Sequence, residues 1–463
     1  MASPGATLTE GPVRGHLVAL TVPMIWGIAA IMSLHVVDTW FVAQLGERHL
    51  AAMSFTFPVT FTLVSLGIGL MAGTASVISR VLGQGDITRV RRLTTDAALL
   101  GTAVAVVFTA IGLLTIDGVF VALGADEEIL PLIRDYMVTW YAGFFFFLVP
   151  MVGLGAVRAT GDSRLQSRIM IASALANLIL DPLLIFGLAG FPRMELQGAA
   201  LATVIARALS FAAGYWALHY RKHFVTHTIP PIAEFLWSCR QVLRVGLPAA
   251  GTNMIIPLAT GIIVALLARH GPNAVAGFGA ATRIEQIVLV PYFAMSSMIG
   301  PFVGQNLGAG QYARIEQALE LSGRFCAASG VLIAVVLAAA APLLMGQFAD
   351  QPEVIHTGVL YLWIVPLSFG MAGLVMVVNA AFNGLGLPLP GVAVSVTRMV
   401  LLYLPLAWLL SLWWGIAGVF IGAALANILS GVGAWLWIRR VCRRLGEPVR
   451  SVAASMEAED VNR

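Results

Sequence analysis

The stretch "LVALTVPMIWGIAAIMSLHVVDTWFVAQLG", Leu17–Gly46, is apolar over most of its length and contains one formally charged residue, Asp38. The next charge in the chain is Glu47. Because about 20 consecutive apolar residues suffice for a helix to cross a bilayer, this stretch predicts a transmembrane helix. An aspartate at membrane depth is costly unless it is paired, protonated or hydrated, so Asp38 is the first candidate functional residue.

The composition of the whole chain is that of a membrane protein. Its 463 residues are 59% hydrophobic and 11% charged, with a mean hydropathy of +0.88. Soluble domains carry roughly 25% charged residues. The net charge of +4 is small and its carriers are scattered, so it does not indicate a nucleic-acid partner. The three cysteines are far apart and form no CxxC motif, so we expect neither a disulfide framework nor a zinc site. We also expect no cofactor, and no metal other than Na⁺ as a coupling ion.

Twelve apolar segments recur along the chain between short charged or Gly/Pro-containing turns. They are continuously apolar, whereas the strands of a membrane barrel alternate. The sequence therefore predicts an all-α integral membrane protein with twelve transmembrane helices. The predicted spans are about 16–45, 51–82, 94–116, 129–157, 165–188, 196–219, 241–268, 275–306, 318–344, 354–384, 389–412 and 416–438.

An internal repeat divides these helices into two pseudo-symmetric six-helix lobes. Matching residues recur 225 positions apart without a gap over some seventy residues, as in Pro23/Pro248, Gly46/Gly271, Gly83/Gly308 and Arg89/Arg314. Duplicated bundles of like topology, related by an axis along the membrane normal, are typical of alternating-access transporters. We expect a polar N-terminal tail (1–14), an N-lobe (15–219), a cytoplasmic linker (220–240), a C-lobe (241–440) and a cytoplasmic C-terminal tail (441–463).

Arginine is concentrated in alternate loops, as after the second span (Arg89, Arg91, Arg92) and after the twelfth (Arg439, Arg440). The positive-inside rule then places both termini in the cytoplasm, in agreement with an even number of spans. We expect a multi-pass protein of a prokaryotic cytoplasmic (inner) membrane.

With this orientation, polar residues of three N-lobe helices lie at similar depth. Asp38 is eight residues from the outer end of the first helix, roughly 12 Å at about 1.5 Å per residue. Asp181 is six residues from the outer end of the fifth helix, roughly 9 Å, and Asn177 lies one turn deeper on the same face. Thr203 is eight residues into the sixth helix, again roughly 12 Å. We therefore expect these four side chains to form one site.

Two carboxylates in a low-dielectric site resist ionising together, so this pair can hold a proton, or can hold Na⁺ through its oxygens. His35 lies one turn from Asp38 and is a possible proton relay, although it could merely donate a hydrogen bond to Asp38. The alternative is that each aspartate only braces its helix. Pro23 is a candidate bend in the first helix because it lacks a backbone donor.

A second polar group is predicted in the C-lobe. Arg283 and Glu285 in the eighth helix and Arg398 in the eleventh are all deep, and we favour a structural charge pair over substrate contact. Arg207 in the sixth helix has no obvious partner.

Six motifs, found in order along the chain, carry a specific resemblance: "VVDTWFVAQLG", "GLMAGTASVISRVLGQGD", "RATGDSR", "NLILDPLLIFG", "QGAALATVIAR" and "PFVGQNLGAG". Together they resemble the multidrug and toxic compound extrusion (MATE) family, in particular its DinF-like branch, over roughly residues 15–440. The resemblance implies a twelve-helix, two-lobed antiporter that exports amphipathic, often cationic compounds in exchange for H⁺ or Na⁺. It also implies that Asp38, Asn177, Asp181 and Thr203 form the coupling site.

The sequence departs from other branches of that family in the C-lobe. Those branches place a glutamate in the seventh helix and an aspartate in the tenth, where this chain has no carboxylate. We therefore expect the N-lobe aspartates to carry the coupling.

The expected function is secondary active multidrug export by a monomer in membrane lipid, coupled to H⁺ or Na⁺. A lipid or oligosaccharide flippase of a related fold is the alternative, although it would require a strongly cationic cavity. We do not expect an enzyme, since the chain lacks HExxH, GxSxG and GxGD motifs. A passive channel fits the repeat with buried titratable groups less well.

Overall fold

A computed structural model describes residues 6–226, 228 and 231–461, with side chains up to residue 445. The predicted tails and linker extend partly into residues outside these ranges. Every regular element in the described ranges is helical. The prediction of an all-α membrane protein is therefore confirmed.

The first half of the chain forms six helical passes. The fourth is bent by 46° between its two segments. The bounds are α1 Val13–Ala43, α2 Glu47–Gln84, α3 Ile87–Ala122, α4 Leu130–Ala142 with Phe144–Ala159, α5 Ser163–Phe186 and α6 Glu195–Trp216, which continues as a π-helix over Ala217–Arg221.

The second half forms six more passes, and its second pass is bent by 47°. The first four are α7 Ile232–Ala268, α8 Pro272–Val288 with Val290–Gly308, α9 Tyr312–Met345 and α10 Pro352–Ile364 with Val365–Ser368 and Phe369–Gly384. The last two are α11, comprising Pro388–Val396, a π-helix over Thr397–Tyr403 and the residues from Leu404 to Gly415, and α12, which follows Gly415 within Leu404–Val461.

The number of passes follows from these breaks. In the described residues, nine helices are long and apolar enough to cross a membrane, and the two bent pairs raise this number to as many as eleven. One of the nine, Pro388–Leu445, is interrupted at Gly415, where φ is +55°. A Cβ placed on Gly418 would clash with the carbonyl of Leu410, so the chain turns back tightly at this point. Division there yields twelve passes, as predicted.

The contacts divide the chain into two compact units. The amino-terminal unit is Ala19–Gly251, and the carboxy-terminal unit comprises Ala6–Val18 and the chain from Thr252 onward. The first residues of α1 therefore belong to the carboxy-terminal unit, and the first half of α7 belongs to the amino-terminal unit.

The repeat is visible in the backbone of the turns. Gly46 has a φ of +113°, and Gly271, 225 residues later, has a φ of +101°. Both precede the second helix of their repeat, at a position where a side chain would be strained. The same spacing relates three further pairs of glycines with positive φ: Gly85/Gly310, Gly161/Gly386 and Gly190/Gly415. The register of the repeat therefore holds well beyond the first two helices.

Two local features position α5, which carries two of the predicted site residues. Its first turn is capped by the carboxylate of Asp162, which accepts a hydrogen bond from the Leu165 amide at 3.1 Å. Further along, a Cβ on Gly198 of α6 would lie 2.6 Å from the carbonyl oxygen of Leu184. Only glycine at this position permits α6 to pack so closely on α5. Small residues commonly allow such close packing of helices within membranes.

Candidate functional site

The carboxyl groups of Asp38 on α1 and Asp181 on α5 face each other inside the amino-terminal unit. The two groups are close enough to interact electrostatically with each other. Oδ1 of Asp38 and Oδ2 of Asp181 are buried, and neither accepts a hydrogen bond from a donor among the described residues. An ionised carboxylate only accepts hydrogen bonds, so a bond between the two groups requires a proton on one of them.

Asn177 supplies the other contact of this pair. Its amide nitrogen donates to Oδ1 of Asp181 at 2.8 Å, from one turn earlier on α5. Asn177 is 3% exposed and Asp181 is fully buried. Three of the four residues predicted from depth are thus brought together.

The fourth residue, Thr203 on α6, lies in the same unit but makes no hydrogen bond to the pair among the described residues. His35 is exposed, and its carbonyl accepts a hydrogen bond from the Thr39 hydroxyl at 2.8 Å. Its ring interacts electrostatically with Arg207. The proposed relay to Asp38 stays a prediction.

Tyr136 on α4 is a site residue that the sequence analysis missed. It is 9% exposed, and it interacts electrostatically with both Asp38 and Asp181. It lies seven residues after Ile129, which precedes α4, roughly 10 Å along the helix. Tyr136 therefore lies at a depth similar to that of the two carboxyl groups, and this depth is the sequence signal that indicates it.

Arg207 lies one turn beyond Thr203 on α6. Its guanidinium lies over the ring of Phe147 on α4, 5.0 Å from the centroid. No ion pair or hydrogen bond of Arg207 occurs among the described residues. The amino-terminal unit thus presents a cation on an aromatic surface as well as two carboxyl groups.

The carboxy-terminal unit contains a second polar group. The Tyr361 hydroxyl of α10 donates a hydrogen bond to Oε2 of Glu285 on α8. Arg398 and Tyr403 of α11 interact electrostatically with the same carboxyl group. Arg398 is 8% exposed, and its buried Nε has no hydrogen-bond partner. Arg283, by contrast, is exposed, and within the described part of the chain no ion pair joins it or Arg398 to Glu285.

A π-helix shapes this second group. Arg398 and Tyr403 lie in the segment Thr397–Tyr403. The i→i+5 hydrogen bonds of a π-helix widen the turn and bring residues five apart close to one face, and such turns often mark functional sites.

The arrangement in the amino-terminal unit can hold one proton between two carboxyl groups and release it. It can also offer carboxylate oxygens to a hard cation such as Na⁺. Among the residues searched, no cluster of three or more His, Cys, Asp or Glu side chains could hold a metal ion.

Comparisons with known proteins give a family and several similar transporters. The MatE family model matches residues 23–183 and 248–409, which reproduces the internal repeat. The FAD transporter of Shewanella oneidensis is 37% identical over 96% of this chain and 98% of its own length. The probable multidrug resistance protein YpnP of Bacillus subtilis is 26% identical over 93% of this chain and 96% of its own length. The crystal structure of the Vibrio cholerae MATE transporter VcmN in the bent form has a TM-score of 0.88 and 30% identity, covering 94% of this chain and 98% of that one.

Proposed function

Because this chain belongs to the MatE family of multidrug efflux transporters, we propose that it exports small amphipathic compounds by alternating access, in exchange for H⁺ or Na⁺ held by Asp38 and Asp181. The proximity of these two carboxyl groups, of which Asp181 is fully buried and Asp38 half-buried, is the observation that carries the proposal. A structural brace between helices does not require two acidic groups to meet, since each carboxylate opposes ionisation of the other. A shared titrating site does require them.

The hydrogen bond from Asn177 stabilises the ionised form of Asp181. The Asn177 amide nitrogen donates to Oδ1 of Asp181, which leaves the other carboxylate oxygens available to H⁺ or to Na⁺. The two gradients described below distinguish these coupling ions.

The carboxyl pair also explains how ion and substrate exchange. Binding of the ion and of the exported compound must weaken each other in an antiporter, as thermodynamic linkage requires. A proton removes the charge of the pair, after which α1 can repack toward its neighbours. A bend at Pro23 makes this movement inexpensive, because the residue lacks a backbone donor.

The DinF-like motifs of the sequence support placement in that branch. We further propose a monomer of the prokaryotic inner membrane, with both termini in the cytoplasm and no enzymatic activity. The relatives named above are described as transporters of FAD or as multidrug resistance proteins, which favours export over the flippase alternative.

Flavin nucleotides are a second candidate substrate class. The Shewanella oneidensis relative is described as a FAD transporter. Arg207 on the face of Phe147 is the observation in this chain that favours such a substrate, because a guanidinium beside an aromatic ring suits a phosphate attached to a planar ring system.

Export from proteoliposomes, driven separately by an imposed pH gradient and by a Na⁺ gradient, tests both proposals. A cationic dye and FAD should be offered in parallel. Export driven by either gradient supports ion-coupled antiport, and the driven compound identifies the substrate class. No gradient-dependent movement of either compound would contradict the proposed function.

A further inference from the structure

The proline in α1 leaves one backbone carbonyl without its helical partner. In an α-helix the amide of each residue donates to the carbonyl four positions earlier. Proline has no amide hydrogen, so Pro23 cannot donate to the carbonyl of Ala19. An unpaired carbonyl away from water costs free energy, so the Ala19 carbonyl needs another hydrogen-bond donor.

Ser163 of α5 supplies the missing donor. Its hydroxyl lies 3.2 Å from the Ala19 carbonyl oxygen. One turn later, the hydroxyl of Ser167 lies 2.6 Å from the carbonyl oxygen of Pro23. Both serines are buried, with exposures of 2% and 4%, whereas Ala19 is exposed and Pro23 is half-buried.

The spacing shows that the two bonds form a matched set. The serines are four residues apart on α5, and the carbonyls that they reach are four residues apart on α1, so each pair is 144 positions apart in sequence. Helices α1 and α5 therefore run side by side in the same direction. Asp38 and Asp181, 143 positions apart, continue the same register at the other end.

Gly27 allows this close approach. A Cβ at position 27 would lie 3.0 Å from the Ser167 hydroxyl oxygen and 3.2 Å from its Cα. A methyl group here would require the neighbouring atoms to move by a few tenths of an ångström, and a bulky residue would separate α1 from α5.

We propose that Ser163 and Ser167 are positioning residues for the coupling site, holding the first half of α1 on α5 and serving as the pivot about which α1 bends at Pro23. This inference rests on the proposed function, in which the carboxyl pair attaches the second half of α1 to α5 only in some ionisation states. The serine bonds carry no charge, so ionisation of the carboxyl pair leaves them intact, but they fit the unbent course of α1 and weaken when α1 bends at Pro23. They therefore set how readily α1 bends when the carboxyl attachment changes.

The bend is measurable as a distance along α1. Spin labels at Val18 and Trp40, both exposed, would lie about 33 Å apart on a straight helix and closer on a bent one. The three native cysteines are replaced beforehand. Ser163→Ala and Ser167→Ala should each raise the ratio of bent to straight helix about 2- to 10-fold and shift its pH dependence, which is the effect of losing one neutral hydrogen bond.

Two variants serve as controls. Ser163→Thr retains the hydroxyl and should behave as the unmodified protein. Ser173→Ala removes a similar bond from α5, to the Ala206 carbonyl at 3.0 Å, and should leave the distance unchanged. Distances in Ser163→Ala and Ser167→Ala that match the unmodified protein, or an equal change in Ser173→Ala, would overturn the proposal.

A double-mutant cycle with Pro23→Ala gives an independent decision. Alanine restores the backbone donor to the Ala19 carbonyl, so Ser163→Ala should lower the unfolding midpoint in the Pro23 protein and have no effect in Pro23→Ala. Ser167→Ala should act equally in both, because the carbonyl that it reaches is present in both. Equal effects of Ser163→Ala in both backgrounds would overturn the proposal.

Neither measurement needs transport. If the protein shows no gradient-driven export but the double-mutant cycle gives the expected result, the proposed function is wrong. The proposal on the two serines is then still supported.

Discussion

The side-chain amide of Asn177 lies 2.8 Å from Oδ1 of Asp181, one turn further along the same helix, and both residues are buried. This is the hydrogen bond that a charged Asp181 receives within its own helix. The interaction between Asp181 and Asp38, by contrast, depends on protonation. The two carboxyl groups can form a hydrogen bond only when one of them carries a proton.

Replacement of Asn177 should therefore slow ion-coupled export. Asn177→Leu leaves Oδ1 of Asp181 without a donor and makes the ionised pair less stable. A hydrogen bond to a charged group contributes about 1.5–3 kcal/mol, which corresponds to a loss in export rate of roughly 10- to 100-fold. The measurement is initial export rate per transporter in proteoliposomes.

Asn379→Leu is the matched control, because the Asn379 amide donates to the Ser395 hydroxyl at 2.9 Å in the other unit. Export by Asn177→Leu at the rate of this control would contradict a role for Asn177 in coupling.

Asp38→Asn mimics the protonated state of its carboxyl group. The amide is nearly the same size and can donate to Asp181, so the protein should fold, whereas gradient-driven export should be abolished. Export and thermal unfolding in detergent are measured on the same preparation. Asp117→Asn is the control, because Asp117 is half exposed and pairs with Arg134 at 2.6 Å. Normal export by Asp38→Asn would leave Asp38 as a brace between helices.

The cap of α5 gives a prediction on pH and stability. Burial raises the pKa of Asp162, but hydrogen bonds from Lys222 and from the Leu165 amide, with the charges of Lys222 and Arg221, outweigh burial and hold that pKa below its usual value. A lowered pKa stabilises the folded protein above the unfolded-state value of about 3.9, and this contribution is lost as the pH falls through the folded-state pKa.

Asp162→Asn retains a capping oxygen but loses the ion pair with Lys222, whose Nζ lies 3.0 Å from Oδ2. Because both groups are partly exposed, the loss at pH 7 should be at most about 1 kcal/mol. The difference from the unmodified protein should shrink as the pH falls below about 4, as followed by chemical unfolding at several pH values. A difference that does not decrease as the pH falls would rule out the charge as its cause.

Depth along regular helices was enough to predict that Asp38, Asn177 and Asp181 meet, since an α-helix in a bilayer has a fixed rise per residue. The direction in which each side chain faces was harder to predict from the sequence. Arg283 and Glu285 are two positions apart, and such residues do not share a helix face, so their separation in the structure has a simple reason. The π-helix that brings Tyr403 near Glu285 has no comparable signal in the sequence.

Contacts that side chains make with backbone carbonyls also could not be predicted from the sequence. The repeat relates Arg314 to Arg89, yet the two cations have different partners. Arg89 lies over the ring of Trp237, 4.6 Å from the centroid, whereas Arg314 binds carbonyl groups of the segment before α1. Every residue carries a carbonyl, so residue types alone could not predict which ones Arg314 would reach.

Arg314 holds residues 8–11 within the carboxy-terminal unit. Its guanidinium donates to the carbonyl oxygens of Gly11 at 2.6 Å, Leu8 at 3.0 Å and Glu10 at 3.3 Å. Arg314→Gln should release this segment and speed hydrogen exchange of the Leu8 amide by tenfold or more, as expected for loss of hydrogen bonds to a charged group. Arg324→Gln, which removes an exposed i,i+4 pair with Glu320, is the control. Unchanged exchange at Leu8 would contradict this attachment.

Glu285 and Arg398 should depend on each other in the carboxy-terminal unit. Removal of one charge leaves the other in an apolar site without a nearby opposite charge, which destabilises the fold, whereas removal of both can be nearly neutral. Glu285→Gln and Arg398→Met should each lower the unfolding midpoint strongly, and the double variant should lose less than the more severe single one. Tyr361→Phe, which removes only the donor to Glu285, should have a smaller effect. Chemical unfolding of the four variants in detergent checks the cycle, with export of a cationic dye measured in parallel. If the single variants unfold normally but lose selectivity for cationic compounds, the two charges contact substrate and the structural prediction is wrong.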